Sequence, residues 1–145
     1  MFQFGSNGNG DGQFDCPRGI AVSQSGHIFV VDWNNHRVQL FDSNGKFISK
    51  IASKGNGNDQ FKCPFGITID ELDERSGYVL IADQFNKRVQ IFNYELVKQQ
   101  TSNELTCNWN WINSIDGMFE KTCGVAINSM NQILVTDSSG RIFVF

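Results

Sequence analysis

The chain has 145 residues, of which 40% are hydrophobic and 19% charged, and its formal net charge is −3. These totals argue against a disordered chain, and the slight negative charge gives no overall attraction to nucleic acid or to an anionic membrane. No apolar run reaches the roughly 20 residues that span a bilayer. The sequence therefore predicts no membrane-spanning helix and no membrane partner.

The N-terminal sequence and the cysteines bear on the cellular compartment. The chain begins "MFQFGSNGNGDGQF", which lacks the basic and apolar regions of a secretory signal. The four cysteines form no C-x-x-C pair, and their spacings match no zinc motif. The segment Ser6–Gly12 carries only one carboxylate, at Asp11, which is too little ligand charge for a calcium loop. We expect reduced thiols, a cytoplasmic protein and no metal site.

One unit of sequence occurs three times along the chain. Its copies run from Gly12 to Phe41, from Asp59 to Phe92 and from Gly117 to Phe145. In the first copy "GIAV", "HIFVVD" and "RVQLF" are short, rich in β-branched and aromatic residues, and separated by turn residues, so each predicts a strand. A fourth strand is predicted at Lys46–Ser53, after the Asn-Gly turn of "DSNG".

The corresponding outer strand of the second copy is predicted at Cys107–Ser114. There "CNWNWINS" alternates polar residues with Trp109 and Trp111, as a strand with one buried face would. The alternative interpretation, a platform on which a sugar or base stacks, is less favoured.

These patterns together predict an all-β fold. Four antiparallel strands that recur at about 40–50 residues, with central strands that are apolar on both faces, describe a blade stacked between blades. We predict a β-propeller of four-stranded antiparallel blades that is incomplete, with about three blades, at residues 12–53, 59–112 and 117–145. Residues 1–11, beginning "MFQFGS", are predicted to be the outer strand and linker of a preceding or closing blade.

The repeated unit resembles the NHL repeat. Its pattern is F-x-x-P-x-G-I, then a strand that ends in Asp, then N-x-R-V-Q-x-F. The first two copies match well, whereas the third has Lys121 and Thr122 in place of Cys and Pro, and its "DSSGR" is one residue short. In tripartite-motif NHL proteins, RING and B-box domains that confer ubiquitin-ligase activity precede the propeller. The resemblance therefore implies a non-catalytic binding scaffold without cofactor, the substrate-recognition part of a larger ligase-like or signalling protein.

The repeated aspartate and arginine predict architecture rather than catalysis, because a catalytic pair would occur once and not once per blade. The carboxylate ends the second strand and the arginine opens the third, so the pair can hold the hairpin loop between them. Glycines at the start of the first strand predict a close approach of backbones. The predicted structural residues are Asp32 with Arg37, Asp83 with Arg88, Asp137 with Arg141, and Gly19, Gly66 and Gly124.

Strand alternation places the loop between the second and third strands at the same pole as the link between blades. The residues that differ between copies at this pole form a predicted binding face: Arg18, Trp33, Asn34, His36, Phe65, Gln84, Phe85 and Lys87. Exposed Trp, Phe and Arg are typical interface anchors. Two alternatives stay open: Trp33 and Phe85 fold back as packing for the loop, and His36 is a solvated loop residue.

The charges at this pole favour a protein partner. Eight basic residues stand against eight acidic ones there, and the opposite pole is acidic. Some tripartite-motif NHL proteins bind RNA on a strongly positive face, which this sequence lacks. Single-stranded RNA stacked on Trp33, Phe65 or Phe85 is the alternative, and no DNA partner is predicted. An enzyme is not predicted, because only His27 and His36 occur and without ligand-like spacing.

Three blades fall short of the roughly 4–8 that close a propeller ring. The two open faces, lined by Ile, Val and Phe, would be a large apolar patch for a monomer. The blade count favours a segment of a longer gene product over the alternative, in which two chains self-associate to complete a six-bladed propeller.

Overall fold

The computed structural model describes residues 1–145 apart from the side chain of Ala52. The chain is built of strands, with a single turn of 3₁₀ helix at Gln84–Asn86. The strands are β1 (Ser6–Asn7), β2 (Gln13–Phe14), β3 (Pro17–Val22), β4 (Ile28–Asp32), β5 (Arg37–Phe41), β6 (Phe47–Ala52), β7 (Pro64–Glu71), β8 (Ser76–Asp83), β9 (Arg88–Lys98), β10 (Leu105–Asp116), β11 (Thr122–Ile127), β12 (Ile133–Asp137) and β13 (Ile142–Val144). Over the described residues, no helix has the length and apolar character needed to cross a bilayer.

The strands form three antiparallel meanders. Blade 1 has the order β3-β4-β5-β6, blade 2 the order β7-β8-β9-β10, and blade 3 the order β11-β12-β13. The short strands β1 and β2 pair in parallel before blade 1. The predicted all-β class and the four-stranded blades are confirmed, and blade 3 has three strands among the described residues.

The central strands are apolar on both faces because each blade is covered by its neighbour. Between blades 1 and 2, the side chains of Val31, Val38 and Leu40 pack with Ile67 and others in one buried cluster. A second cluster joins blades 2 and 3 and contains Leu80, Ala82, Val89, Val125 and Val135. Blade 2 is therefore buried from both sides, which accounts for the unbroken apolar run "VLIA" in β8.

The first strand of each blade lies against the first strand of the next. A Cβ built on Gly19 would lie 2.6 Å from the carbonyl oxygen of Phe65, and one built on Gly66 would lie 2.3 Å from that of Cys123. No side chain fits between these backbones, so glycine is required for the close approach. Each of the three strands also shifts its pairing register just there, between Pro17 and Ile20, between Pro64 and Ile67, and between Thr122 and Val125.

Residues 1–5 differ from the outer strand predicted for them. They lie outside any strand, and the ring of Phe4 packs on that of Phe41, with centroids 5.1 Å apart. Phe4 also lies against Gly45 in the β5–β6 hairpin. The aromatic contact thus holds this segment on blade 1 without strand pairing.

Candidate functional site

The repeated aspartate and arginine form a buried ion pair in blades 1 and 2. In blade 1, Nε of Arg37 lies 2.7 Å from the carboxylate of Asp32, and in blade 2, Nε of Arg88 lies 2.9 Å from that of Asp83. All four side chains are almost fully inaccessible to solvent. Each carboxylate also accepts a backbone N–H from the preceding linker, that of Asp15 in blade 1 at 2.8 Å.

The arginine of each pair clamps the linker that leads into its blade. The terminal nitrogens of Arg37 donate to the carbonyl oxygens of Asn9, Gly10 and Gln13 at 2.8–2.9 Å. Gln39 donates to the same carbonyl of Gln13 at 2.7 Å. Because Nε of this planar group donates to the carboxylate and its terminal nitrogens donate to three backbone carbonyls, the contact fixes the loop conformation as well as neutralising the charge.

The second linker repeats this geometry 47 positions along the chain. Arg88 donates to the carbonyls of Asn56, Gly57 and Gln60 at 2.7–3.1 Å, and Gln90 donates to that of Gln60 at 2.6 Å. The loop asparagines complete the arrangement: Asn35 donates to Gly8 and Asp32, and Asn86 donates to Gly55 and Asp83. We call each set of Asp, Asn, Arg and Gln side chains a linker clamp.

Blade 3 has only a remnant of the clamp. Arg141 contacts Asp137 at 2.9 Å, but its side chain is half exposed and has no linker carbonyl among its hydrogen-bond partners in the described structure. Hydrogen bonds from Ser139, then from Arg141 and the backbone, hold the pKa of Asp137 well below its usual range. The shortened loop "DSSGR" lacks the asparagine that holds the linker in the other two blades. In β13, Phe143 stands at the repeat position of the clamp glutamine.

Next to the clamps, an arginine and three aromatic rings form one continuous surface. The guanidinium of Arg18 lies 5.6 Å from the ring centroids of both Trp33 and Phe65, which is cation–π distance. The ring of Trp33 lies 6.3 Å from that of Phe85, over which Lys121 places its ammonium group at 5.3 Å. We call these five residues, which come from all three blades, the aromatic–cation surface.

Most of the predicted binding residues meet at this surface. Trp33 joins it to Gln84 through a 3.2 Å hydrogen bond from the indole N–H. Three of the predicted residues lie apart: Asn34 is tied to Asp15 in the linker, Lys87 is exposed beyond the 3₁₀ turn, and His36 contacts the second linker. Lys121 was not among the predicted binding residues, because the third copy departs from the repeat at this position.

His36 is not simply a solvated loop residue. Its Nδ1 accepts the backbone N–H of Cys63 at 3.0 Å, so the ring joins the β4–β5 loop to the second linker. Burial, and then the nearby charge of Lys54, lower the pKa of His36. Both effects favour the neutral ring, which is the form that can accept this hydrogen bond.

The aromatic–cation surface is open to solvent. Arg18 and Phe85 are exposed, Trp33 and Phe65 are half-buried, and the ring of Trp33 packs against that of Phe85 in a tilted arrangement. Beside it lies a shallow cavity of about 400 Å³ at the meeting point of the three inner strands, lined by Pro17, Arg18, Gly19, Phe65, Gly66, Cys123 and Gly124. The rings of Trp33 and Phe85 therefore pack against each other and also remain accessible for binding, so the geometry fits both roles predicted for them.

The charges of this pole stay nearly balanced once the three repeated Asp–Arg pairs and the ion pair of Lys50 with Asp11 are set aside. The remaining cations are Arg18, Lys54, Lys62, Lys87 and Lys121, and the remaining acids are Asp15, Asp59, Asp116 and Glu120. Balanced charge gives little long-range attraction for a polyanion.

Among the residues that the structure describes, no group of three or more His, Cys, Asp or Glu side chains is arranged to hold a metal ion. Within the same part of the chain, all four cysteines are free. The aromatic–cation surface offers rings, cations and backbone groups for binding.

Comparison with protein families gives a match over nearly the whole chain. Residues 13–144 match the model of a family, DUF5128, that is described as a 6-bladed beta-propeller. Shorter stretches match curated proteins. Protein lin-41 of Caenorhabditis elegans is 50% identical over 50 residues, which are 34% of this chain and 4% of that protein.

Two further relatives match to a similar extent. Protein brain tumor of Drosophila melanogaster is 49% identical over 45 residues, 31% of this chain and 4% of that protein. E3 ubiquitin-protein ligase TRIM71 of Rattus norvegicus is 40% identical over 50 residues, 34% of this chain and 6% of that protein. The resemblance to NHL-repeat proteins is confirmed, and the chain spans a small fraction of the length of these relatives.

Among solved structures, the WD40 beta propeller domain of Doa1 superposes with a TM-score of 0.62. The superposition covers 90% of this chain and 36% of that one, at 16% sequence identity. At that identity the likeness concerns the fold alone.

Proposed function

The chain belongs to the DUF5128 family of six-bladed β-propellers, and on that premise we propose that it is a non-catalytic scaffold whose aromatic–cation surface binds a protein partner. The single observation that carries the proposal is Arg18 held between the rings of Trp33 and Phe65 at 5.6 Å. Arginine and large aromatic side chains dominate the binding energy of protein interfaces. Here they come prearranged, which reduces the entropy cost of ordering them on binding.

The surface selects the chemistry of its partner. Arg18 lies at cation–π distance from two rings and has no hydrogen bond or ion pair in the described part of the chain, so its N–H groups can take a carboxylate. The ring of Phe85 stays 39% exposed and offers an apolar contact beside it. The partner is accordingly a protein segment that carries an acidic residue next to an aliphatic or aromatic one.

The relatives support a role within a larger protein. One of them is named an E3 ubiquitin-protein ligase, and the chain matches 6% of its length. We propose that this propeller recognises substrate for a ligase-like or signalling protein. The free cysteines support a cytoplasmic location, where thiols stay reduced.

Single-stranded RNA is the second candidate for the same surface. It is favoured by the stacking of cations on rings, since bases stack on aromatic side chains and on guanidinium groups. The balanced charge of the pole weighs against it, because phosphate contacts supply most non-specific affinity for nucleic acid. The protein partner is therefore preferred.

The proposal can be tested without a known partner. A phage-displayed random peptide library would be selected on the purified chain, and recovered peptides titrated by fluorescence anisotropy. Arg18→Glu and Phe85→Ala should each weaken peptide binding at least about tenfold, as hot-spot truncations do. Leu72→Asp serves as the matched control, because Leu72 is 60% exposed and lies between β7 and β8 at the opposite pole.

The two outcomes separate clearly. Selected peptides that contain an acidic residue and lose affinity for both surface variants, but not for the control, support the proposal. Peptides that bind all four proteins equally would exclude the aromatic–cation surface as the binding face.

A further inference from the structure

Two lysines distinguish the second linker from the first. The linkers align with an offset of 47 residues, so Lys54 stands at the repeat position of Asn7 and Lys62 at that of Asp15. Asp15 is tied to Asn34 in the hairpin loop of its own blade, at 3.0 Å. Neither lysine forms an ion pair in the described structure. The clamp arginines bind the backbone of both linkers alike, so the fold itself does not require these two cations.

Both lysines line one cavity at the pole that carries the aromatic–cation surface. The cavity has a volume of about 410 Å³ and is bounded by Lys54, Gly55, Asn56, Lys62 and Asn86. Both lysines are exposed to solvent, and no carboxylate is among the lining residues that the structure describes. The lining thus carries two positive charges and no negative one, which favours an anionic ligand.

The linker clamp fixes the backbone on which the two lysines stand. Asn86 donates to the carbonyl oxygen of Gly55 at 2.8 Å. The backbone N–H of Lys62 donates to the carboxylate of Asp83 at 2.7 Å, and its carbonyl oxygen accepts the backbone N–H of Phe85 at 3.1 Å. A site whose backbone is already ordered loses less entropy when a ligand binds.

The two ammonium groups match a phosphate monoester better than a carboxylate. A phosphorylated serine or threonine carries a charge of about −1.5 to −2 at pH 7 and has three strong acceptor oxygens. A carboxylate carries a single charge and has two oxygens. Lysine binds phosphate as a compact point charge with rotatable donors, so two lysines can share one phosphate group.

A nucleic-acid strand fits this cavity less well than one phosphate monoester does. The affinity of a strand depends on several phosphates that are neutralised together by a row of cations. Acidic residues are spread among the cations of this pole, namely Asp15, Asp59, Asp116 and Glu120. A cavity with two lysines in these surroundings favours one highly charged group over a chain of singly charged ones.

The cavity adjoins the aromatic–cation surface. Asn86, which lines the cavity, directly follows Phe85 in the chain, and Lys121 lies over the ring of Phe85. A protein segment that covers this ring can therefore place a neighbouring side chain in the cavity.

We propose that this cavity binds the phosphate group of a phosphorylated serine or threonine in the protein partner. The inference rests on the proposed function, in which the same pole binds a protein segment. Lys54 and Lys62 neutralise the phosphate, while the aromatic–cation surface contacts the residues beside it. Binding then depends on phosphorylation of the partner, because an unmodified hydroxyl group carries no charge for the two lysines to neutralise.

Two fluorescein-labelled peptide pools test the inference on the purified chain. Each pool has randomised residues on both sides of a central residue, which is phosphoserine in one pool and serine in the other. Fluorescence anisotropy should show at least about tenfold tighter binding of the phosphoserine pool. Lys54→Ala and Lys62→Ala should each remove most of this preference. Lys98→Ala is the matched control and should keep it, because Lys98 is an exposed lysine at the other end of β9.

The ratio of the two affinities reports on the cavity, whereas the affinity of either pool reports on the aromatic–cation surface. Phe85→Ala should weaken the binding of both pools and leave the preference for phosphate unchanged. A preference that is lost in the two lysine variants but accompanied by no effect of Phe85→Ala would support the cavity and contradict the proposed function.

Three results would overturn the inference and leave the proposed function in place. The first is equal affinity of the wild-type chain for the two pools. The second is a preference for phosphate that survives both lysine replacements. The third is displacement of the phosphoserine pool by oligouridine, with oligouridine binding lost in Lys54→Ala and Lys62→Ala, which would assign the cavity to nucleic acid.

Discussion

Arg88 and Asp83 form a buried ion pair, with Nε 2.9 Å from the carboxylate, and the same guanidinium holds the carbonyls of Asn56, Gly57 and Gln60. The side chain thus joins a hairpin of blade 2 to the linker that arrives from blade 1. The equivalent contacts recur around Arg37 in blade 1. The repeated aspartate and arginine therefore join consecutive blades. They also set the position of the loops that carry Trp33 and Phe85 of the aromatic–cation surface.

Loss of the buried arginine should strongly destabilise the fold. Arg88→Ala leaves the Asp83 charge without its ionic partner and removes one hydrogen-bond donor from each of three linker carbonyls. Removing one partner of a buried pair costs about 3–5 kcal/mol. Urea unfolding should show a loss of this size in the free energy of unfolding.

Arg141→Ala is the matched control, because Arg141 is half exposed and has no linker carbonyl to hold. Its loss should be clearly smaller than that of Arg88→Ala. If both variants lost the same free energy of unfolding, the contacts of Arg88 with the linker would not contribute to stability.

Glycine at the inner strand should be required where a neighbouring blade is close. Gly66→Ala would place a Cβ 2.3 Å from the carbonyl oxygen of Cys123, and neither backbone can move without disturbing its blade. Overpacking of this kind costs about 1–3 kcal/mol. Gly124→Ala should cost less, because its Cβ meets only a flexible side chain. Thermal unfolding of the two variants would detect the difference, and an equal loss would contradict the close approach.

The strands were predictable, whereas the long-range polar contacts were not. Periodicity and turn residues such as those of "DSNG" locate β6 and its neighbours, because they are properties of adjacent residues. The hydrogen bonds of Gln39, and of His36 to Cys63, join residues 26–27 positions apart, and no local pattern encodes them. Asn, Arg and Gln recur together in the first two copies. This identity could have predicted that the three side chains make the same contacts in both blades.

The pH dependence of stability should carry a contribution from His36. Because burial and Lys54 lower its pKa from the usual 6.5, the unfolded chain binds a proton at His36 more readily than the folded chain does. The free energy of unfolding should therefore fall as the pH decreases through 6.5, and this contribution should level off below the folded pKa. Urea titrations between pH 7 and about 5.5 would measure the slope, in a range above the ordinary carboxylate pKa values.

His36→Asn isolates this contribution, since asparagine tolerates the positive φ of 53° at this position. The variant should show a smaller slope than the wild type. His27, whose pKa is also lowered by burial, contributes with the same sign and should keep part of the slope in His36→Asn. An unchanged slope would mean that the hydrogen bond to Cys63 does not depend on the charge of His36.

Phe85 should matter more for binding than for folding. Its ring is partly exposed and contacts Trp33 and Lys121, so Phe85→Ala should lower the free energy of unfolding by only about 1 kcal/mol. The same variant should lose at least about tenfold in peptide affinity. Parallel urea and anisotropy measurements on one preparation would show the separation. A large loss of stability would instead indicate that the ring serves packing alone.

The most direct test of the proposed function is the ionic-strength dependence of two ligands on the wild-type chain. A selected peptide and a fluorescein-labelled oligouridine would be titrated at ionic strengths from about 50 to 300 mM. We expect the peptide affinity to change less than about threefold and the oligouridine to show no binding at the lowest salt. Oligouridine binding that falls steeply and linearly on a log–log plot of affinity against salt, with no peptide bound, would contradict a protein partner and assign the aromatic–cation surface to RNA.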